Sequence, residues 1–301
     1  MNDETINAAS IPNADQVMNN RQALDAARAM GIDALDAQLL LLFALGRSPR
    51  ERAWLLAHDT DTMLKDEQDQ FIALLQRRAI GVPVAYLTGE KEFYGQSFSV
   101  DRRVLVPRPE TELLVDWASE ILGSEEGRQQ AGEKPLRILD LGTGSGILAI
   151  ILKQRFLQLD VTATDVCPDA LTVATLNAAD LLPEGATVRL CQGRWFEPVA
   201  QEKFDLVVSN PPYIAQDDSH LVALAHEPQI ALVSGSDGLD DIRTIIANAG
   251  QHLNAGGWLL LEHGYDQAHA VRQLLEHAGF AQVETRKDLA GIERVTGGQW
   301  L

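Results

Sequence analysis

Ile138-Leu139-Asp140-Leu141-Gly142-Thr143-Gly144-Ser145-Gly146 reads as a strand, a glycine turn and the start of a helix in one stretch. Glycines let the backbone approach a ligand, and a helix amino terminus offers free N–H groups to a carboxylate or phosphate. A tight strand-to-helix turn with no ligand is the plainer alternative. The dinucleotide fingerprint GxGxxG/A would need its third glycine where Ile147 stands, which argues against NAD or FAD. Farther along, Thr164-Asp165 closes the next apolar run. An acidic residue at the tip of the second strand of such a sheet accepts both ribose hydroxyls of a nucleoside, so Asp165 is the expected ribose residue. Asp169 remains available for the helix that starts at Pro168. In Gln192-Gly193-Arg194-Trp195-Phe196, Trp195 is expected to cover a base face, with simple packing as its alternative.

Outward from this stretch, strand and helix patterns alternate. Strands are expected at 137–141, 161–164, 188–191, 204–209, 257–262, 281–286 and 293–296, and helices at 146–156, 168–179, 242–249 and 268–278. Such alternation means an α/β fold with a doubly wound, mostly parallel sheet of seven strands. Before it, Ala23, Leu24, Ala27, Ala34, Leu35, Leu39, Leu42 and Phe43 recur at helical spacing around a Gly31-Ile32-Asp33 turn. Ser48-Pro49-Arg50-Glu51 and the 66–80 stretch begin or form further helices, giving a small bundle over residues 1–82 after a polar start. Residues 83–107, with Tyr86-Leu87-Thr88-Gly89 and the aromatic-rich run to Val100, read as a hairpin connector; 108–301 is the second domain, with a polar loop at 123–135.

The strand 204–209 ends in Asn210-Pro211-Pro212-Tyr213. Neither proline can donate a ladder hydrogen bond, so the sheet stops abruptly and leaves a polar platform at a strand's carboxyl end. One Asn side chain, unclaimed carbonyls and a Tyr ring form a planar acceptor site with an aromatic lid, suited to a flat NH2 group. A bare Pro-Pro turn would merely end a strand; Asn before it and Tyr after it weaken that alternative.

The 301 residues carry 43 acidic against 25 basic side chains, a net charge of −18. A surface this acidic repels polyphosphate, so direct nucleic-acid binding is not expected. The first twenty residues hold Asp3, Glu4 and Asp15 with no basic residue or apolar run, and no apolar stretch reaches the length of a membrane span. A cytoplasmic protein is the expectation, with a monomer as the default state. Cys167 and Cys191 make neither a disulfide framework nor a metal pair and are expected to be buried; no metal is expected from seven scattered histidines.

Gly142 to Gly146, Asp165, Trp195 and Asn210-Pro211-Pro212-Tyr213 together resemble the class I S-adenosyl-L-methionine-dependent methyltransferases, with a Rossmann-like domain. With the helical amino-terminal region, Tyr86-Leu87-Thr88-Gly89 and Val106-Pro107-Arg108-Pro109-Glu110-Thr111-Glu112, the chain resembles the release-factor glutamine methyltransferases, the PrmC/HemK family, over nearly its whole length. The resemblance implies methyl transfer to the side-chain amide of the Gln in the Gly-Gly-Gln motif of peptide-chain release factors, with S-adenosyl-L-homocysteine as product. It places the cofactor at Gly142, Thr143, Gly144, Ser145, Gly146, Asp165, Trp195 and Asn210, and the substrate amide at Asn210, Pro211, Pro212 and Tyr213, with Asn210, Pro211 and Tyr213 catalytic. The bundle is then the expected release-factor docking element.

Two rival readings use the same residues. An N6-adenine or rRNA guanine methyltransferase would hold a flipped base on the same acceptors, against the acidic balance. A non-catalytic module binding a translation factor would hold a nucleoside and transfer nothing. Two departures from the family pattern stand out: Arg194 replaces an acidic residue before the aromatic, and the chain ends with its own Gly297-Gly298-Gln299. That second Gly-Gly-Gln reads as coincidence.

Overall fold

The computed structural model describes residues 17–124 and 134–301. The polar start and most of the loop expected at 123–135 lie outside the described residues. The chain divides into two compact units after Gly89.

The first unit holds helices α1 (Asn20–Ala29), α2 (Ala34–Ala44), α3 (Arg52–Ala57), α4 (Lys65–Ala79) and α5 (Val84–Thr88). Asn19 and Gln22 cap α1 reciprocally: the Asn19 side chain accepts the Gln22 N–H at 2.9 Å, and the Gln22 side chain accepts the Asn19 N–H at 3.0 Å. Asp33 caps α2 by accepting the Leu35 N–H at 2.8 Å. Leu40, Leu41 and Leu42 are all fully buried, so α2 is apolar around much of its girth and forms the centre against Phe71 and Leu75. Arg78 of α4 donates to Asp36 of α2 at 2.7 Å across that packing.

Tyr86-Leu87-Thr88 is helical, contrary to the strand-like reading of its composition. Pro83 leads in, Ala85 and Leu87 are buried, the Thr88 hydroxyl donates to the Val84 carbonyl at 3.2 Å, and Gly89 at φ 80° closes the turn. The hairpin itself is short, β1 (Glu90–Phe93) and β2 (Gln96–Ser99). It packs within the second unit: Asn177 accepts the Ser99 N–H at 2.8 Å and donates to the Ser99 carbonyl at 3.0 Å.

In the second unit α6 (Glu112–Gly123) precedes β3 (Arg137–Leu141), α7 (Ile147–Arg155), β4 (Asp160–Asp165), α8 (Pro168–Leu181), β5 (Arg189–Gln192) and β6 (Phe204–Ser209). Then follow α9 (Asp240–His252), β7 (Leu253–Glu262), α10 (Ala268–His277), β8 (Phe280–Lys287) and β9 (Glu293–Trp300). The seven strands lie in the order β5-β4-β3-β6-β7-β9-β8, parallel except that β9 runs antiparallel between β7 and β8. From β3 the chain winds out to β4 and β5, then returns to β6 on the other side of β3. A crevice at the carboxyl ends of β3 and β6 follows from that reversal, and ligands of doubly wound sheets bind there.

The tail's Gly297-Gly298-Gln299 is part of β9. A Cβ on Gly297 would lie 2.9 Å from the Trp117 ring, and one on Gly298 would lie 3.0 Å from Phe280, so close packing accounts for both glycines. Gln299 pairs with Trp258, whereas Glu262 at the carboxyl end of β7 pairs with Val295. This glutamine is therefore held away from the strand ends where the platform lies. Cys167 and Cys191 are half-buried rather than buried, because one lies just beyond the end of β4 and the other is on edge strand β5. No helix of the described residues is long and apolar enough to cross a membrane.

Candidate active site

A cavity of ≈ 260 Å³ opens at the carboxyl ends of β3, β4 and β6. It brings together Gly142, Thr143, Gly144, Ser145, Asp165, Trp195, Asn210 and Pro212. Gly146, Pro211 and Tyr213 do not line it.

The three glycines of the turn all have positive φ, 71° at Gly142, 55° at Gly144 and 87° at Gly146, yet they serve different ends. A Cβ on Gly142 would meet the Trp195 ring at 3.3 Å. One on Gly146 would meet Ile150 at 2.8 Å and Ala174 at 3.3 Å, so that glycine lets α7 pack on α8, and it does not line the cavity. At Gly144 nothing lies within 4 Å of an added Cβ, and the residue lines the cavity. Gly144→Ala should therefore cost about 1–2 kcal/mol of stability from backbone strain alone, and should weaken nucleoside binding about tenfold by placing a methyl on the ligand face. Thermal unfolding and titration calorimetry measure the two effects separately.

Asp165 uses both oxygens to shape this turn: Oδ2 accepts the Gly144 N–H and Oδ1 the Cys167 N–H, each at 2.9 Å. Burial raises its carboxyl above the ordinary value, opposed by the N–H groups of Cys167, Gly144 and Val166. Each oxygen keeps a further lone pair for a hydroxyl donor. Sequence reasoning had not assigned Asp140 a role. It is buried on the cavity wall, its Oδ2 accepting from the Thr143 hydroxyl at 2.6 Å and the Ala149 N–H at 3.3 Å, while Oδ1 has no partner among the described residues. Burial, with the nearby Asp165 charge adding to it, pushes this carboxyl up to about 7 against those two hydrogen bonds. A carboxylate interrupting the apolar run Ile138 to Leu141 was the available signal.

Trp195 sits at φ 49° with its carbonyl accepting from the Thr164 hydroxyl at 3.0 Å, and its ring edge faces Gly142. It packs partly against the core cluster and partly lines the cavity, so packing accounts for only part of the ring's surroundings. Beside it, Arg194 donates to Asp241 Oδ1 at 2.9 Å, and Ser234 donates to Oδ2 at 2.8 Å. Both Arg194 and Asp241 line the cavity, so a carboxylate reaches this wall from α9 while the residue before the aromatic is basic.

Just beyond β6, next to the glycine turn because Ser209 pairs with Leu141, Asn210 Nδ2 donates to Thr111 Oγ1 at 3.0 Å. Thr111, fully buried, closes the 3-10 turn Pro109–Thr111 that leads into α6. Tyr213 is not a lid over the cavity: its ring packs on the core cluster, its hydroxyl donates to Glu262 Oε1 at 3.2 Å, and its carbonyl accepts from Gln267 at 3.0 Å. The two prolines turn the backbone so that Pro212 lines the cavity and Tyr213 anchors the turn from behind. Burial, then the Glu262 charge, raises the Tyr213 hydroxyl pKa, so it remains a donor. Arg108 pairs with Glu227, which also accepts the Val106 N–H at 2.9 Å, tying the Val106 to Glu112 stretch to the loop beyond Tyr213. Among the described residues no group of three or more His, Cys, Asp or Glu side chains is placed to hold a metal ion.

The strand order and the glycine turn at the switch point define a class I methyltransferase domain. Residues 113–288 match the methyltransferase small domain and residues 17–89 the PrmC N-terminal domain. The release factor glutamine methyltransferase of Bordetella pertussis is 46% identical, the alignment covering 89% of this chain and 95% of that protein. Its counterpart in Xylella fastidiosa is 44% identical over 92% of this chain and 97% of its own length. Among solved structures, a methyltransferase from Pyrococcus furiosus shares the fold with a TM-score of 0.51 at 19% identity, covering 75% of this chain and 96% of that one. The chain belongs to the release factor glutamine methyltransferase family.

Proposed function

We propose that this methyltransferase moves the methyl group of S-adenosyl-L-methionine to the side-chain amide nitrogen, N5, of the Gln in the Gly-Gly-Gln motif of peptide-chain release factors. The observation that carries the reading is the Asn210 carboxamide, held by Thr111 on the wall of the same cavity that the glycine turn lines. The donor set suits the cofactor. Asp140 Oδ1, buried and without a partner among the described residues, is an acceptor for an ammonium group, Asp165 has lone pairs left for two ribose hydroxyls, and the Trp195 ring lines the same cavity. S-adenosyl-L-methionine would supply an electrophilic methyl on a sulfonium there.

The chain's own task is alignment and charge stabilisation. Asn210 Oδ1 and the Pro211 carbonyl each accept one hydrogen of the substrate amide, while Pro212 packs on its plane and Tyr213 braces the turn. An amide nitrogen is a poor nucleophile because its lone pair is delocalised. As its new bond forms, positive charge grows on nitrogen, and the two acceptor dipoles bind that state more strongly than the ground state. No strong base is required beforehand, because the proton becomes acidic once the methyl is attached. The amino-terminal bundle supplies docking for the factor, since one Gln side chain cannot confer protein-level specificity.

A radiolabelled transfer assay on the full chain tests this. Label should enter an intact release factor, fail to enter one whose Gly-Gly-Gln glutamine is replaced, and enter a short Gly-Gly-Gln peptide only at a KM at least about tenfold higher. Label in RNA or DNA alone would transfer the assignment to a base amine, and no label anywhere would leave a binding module. Equal KM values for peptide and factor would remove the docking role from the bundle.

A further inference from the structure

We propose that Thr111 is a positioning residue that sets the polarity of the Asn210 carboxamide, with Glu262 fixing the direction in which the Thr111 hydroxyl points. The inference rests on the reading above, in which Asn210 Oδ1 must face the substrate. An asparagine amide is nearly symmetric in shape, and only its partners decide which end carries the oxygen. Turned the other way, Asn210 would present N–H groups to the N–H groups of the incoming amide, donor against donor.

Thr111 is what Asn210 meets on its buried side, at 3.0 Å. A hydroxyl can donate or accept, so Thr111 alone would tolerate either amide orientation. The next group decides. Glu262 ends β7, almost wholly buried, with Oε1 already accepting from Tyr213 at 3.2 Å. Its Oε2 is buried with no partner at strict hydrogen-bond geometry among the described residues, and the Thr111 hydroxyl is the first of the two hydroxyls whose hydrogen bonding favours the charged form of Glu262. Above about pH 7, where Glu262 is ionised, that interaction turns the hydroxyl proton towards the carboxylate and leaves a lone pair for Asn210 Nδ2. Oδ1 is thereby the end left for the substrate. Thr111 enters from the turn before α6, Glu262 from β7, and Asn210 and Tyr213 from the chain beyond β6. Two elements distant in sequence thus meet the segment that carries this amide, Thr111 at Asn210 and Glu262 at Tyr213, whereas a strand cap would have needed only the local backbone.

Thr111→Val keeps the shape and removes the hydroxyl; Thr111→Ser keeps the hydroxyl. Methyl transfer to a release factor should fall about 10-fold to 30-fold in kcat for the Val variant, with the dissociation constant for S-adenosyl-L-methionine changed less than about threefold, and the Ser variant should recover to within about threefold of the parent. Unchanged kcat in the Val variant, failure of Ser to restore it, or a parallel loss of cofactor binding would each overturn the proposal while leaving the proposed substrate standing. The Asn210 side-chain amide resonances, identified by their loss in Asn210→Asp, give a readout that needs no substrate. They should shift and exchange faster in the Val variant. If the parent methylates no glutamine, the substrate reading fails, and resonances identical in parent and Val variant then overturn the positioning role as well. Should the Val variant not fold, Glu262→Gln takes its place: it should lower kcat although it removes a buried charge, and unchanged kcat would overturn the proposal.

Discussion

Asn210→Ala is expected to lower kcat for methyl transfer by on the order of 100-fold or more, while the dissociation constant for S-adenosyl-L-methionine stays within a few-fold. The size follows from what the side chain does at the moment of reaction. A preorganised dipole aimed at developing charge needs no reorganisation, and removing one such group from an oxyanion hole costs about 3–4 kcal/mol. In the proposed reaction the sign of the charge is reversed: the acceptor oxygen of Asn210, held by Thr111 on the cavity wall, faces a nitrogen becoming positive. Because the interaction strengthens as the bond forms, its loss falls on kcat and not on KM. On the proposed reading cofactor affinity comes mainly from the glycine turn, Asp140 and Asp165, whereas the Asn210 side chain hydrogen-bonds to Thr111. Single-turnover rates beside calorimetric cofactor binding separate the two. Near-normal turnover with intact binding would remove Asn210 from the mechanism.

The arrangement of these residues around the cavity was only partly legible in the sequence. The strand at 137–141 and that at 204–209 could be bounded to the residue, because an apolar run stopped by Gly or by Asn-Pro-Pro has one reading. Asp165 could be placed because a strand tip is a local feature. Thr111 could not, since its role depends on a contact with Asn210 that is 99 residues away. Tyr213 was misdirected for a related reason: its proximity to Asn210 in sequence suggested a shared face, whereas the two prolines between them turn it to Glu262. Composition misled at Tyr86-Leu87-Thr88, where β-formers are helical between Pro83 and Gly89. It misled again at the tail, where Gly297-Gly298 looked like the end of a strand but let β9 run on beneath Trp117 and Phe280.

Glu262→Gln should stabilise the protein above pH 7 and at the same time slow it. Burial pushes this carboxyl from 4.5 up to about 7, opposed by the Thr111 and Tyr213 hydroxyls, with the Glu110 charge adding to the rise and Arg294 opposing it. A raised carboxyl pKa means that the folded chain holds a proton the unfolded chain has released. The contribution to stability is therefore fully present below about pH 4.5 and is lost as pH rises to about 7. Gln mimics the neutral acid and carries no such loss. The stability difference between variant and parent, measured by urea unfolding at fixed pH values, should be small at pH 4, widen in favour of Gln through this window and level off above it at on the order of 3 kcal/mol. A difference that does not change with pH would mean that Glu262 ionises as freely in the fold as outside it. The cost in rate has a separate origin. A Gln amide can donate to Thr111 Oγ1, which frees the hydroxyl proton to swing to Asn210 and favours the inverted carboxamide. A variant that is more stable yet slower is the signature of a buried charge kept for the direction it imposes, and not for the stability of the fold.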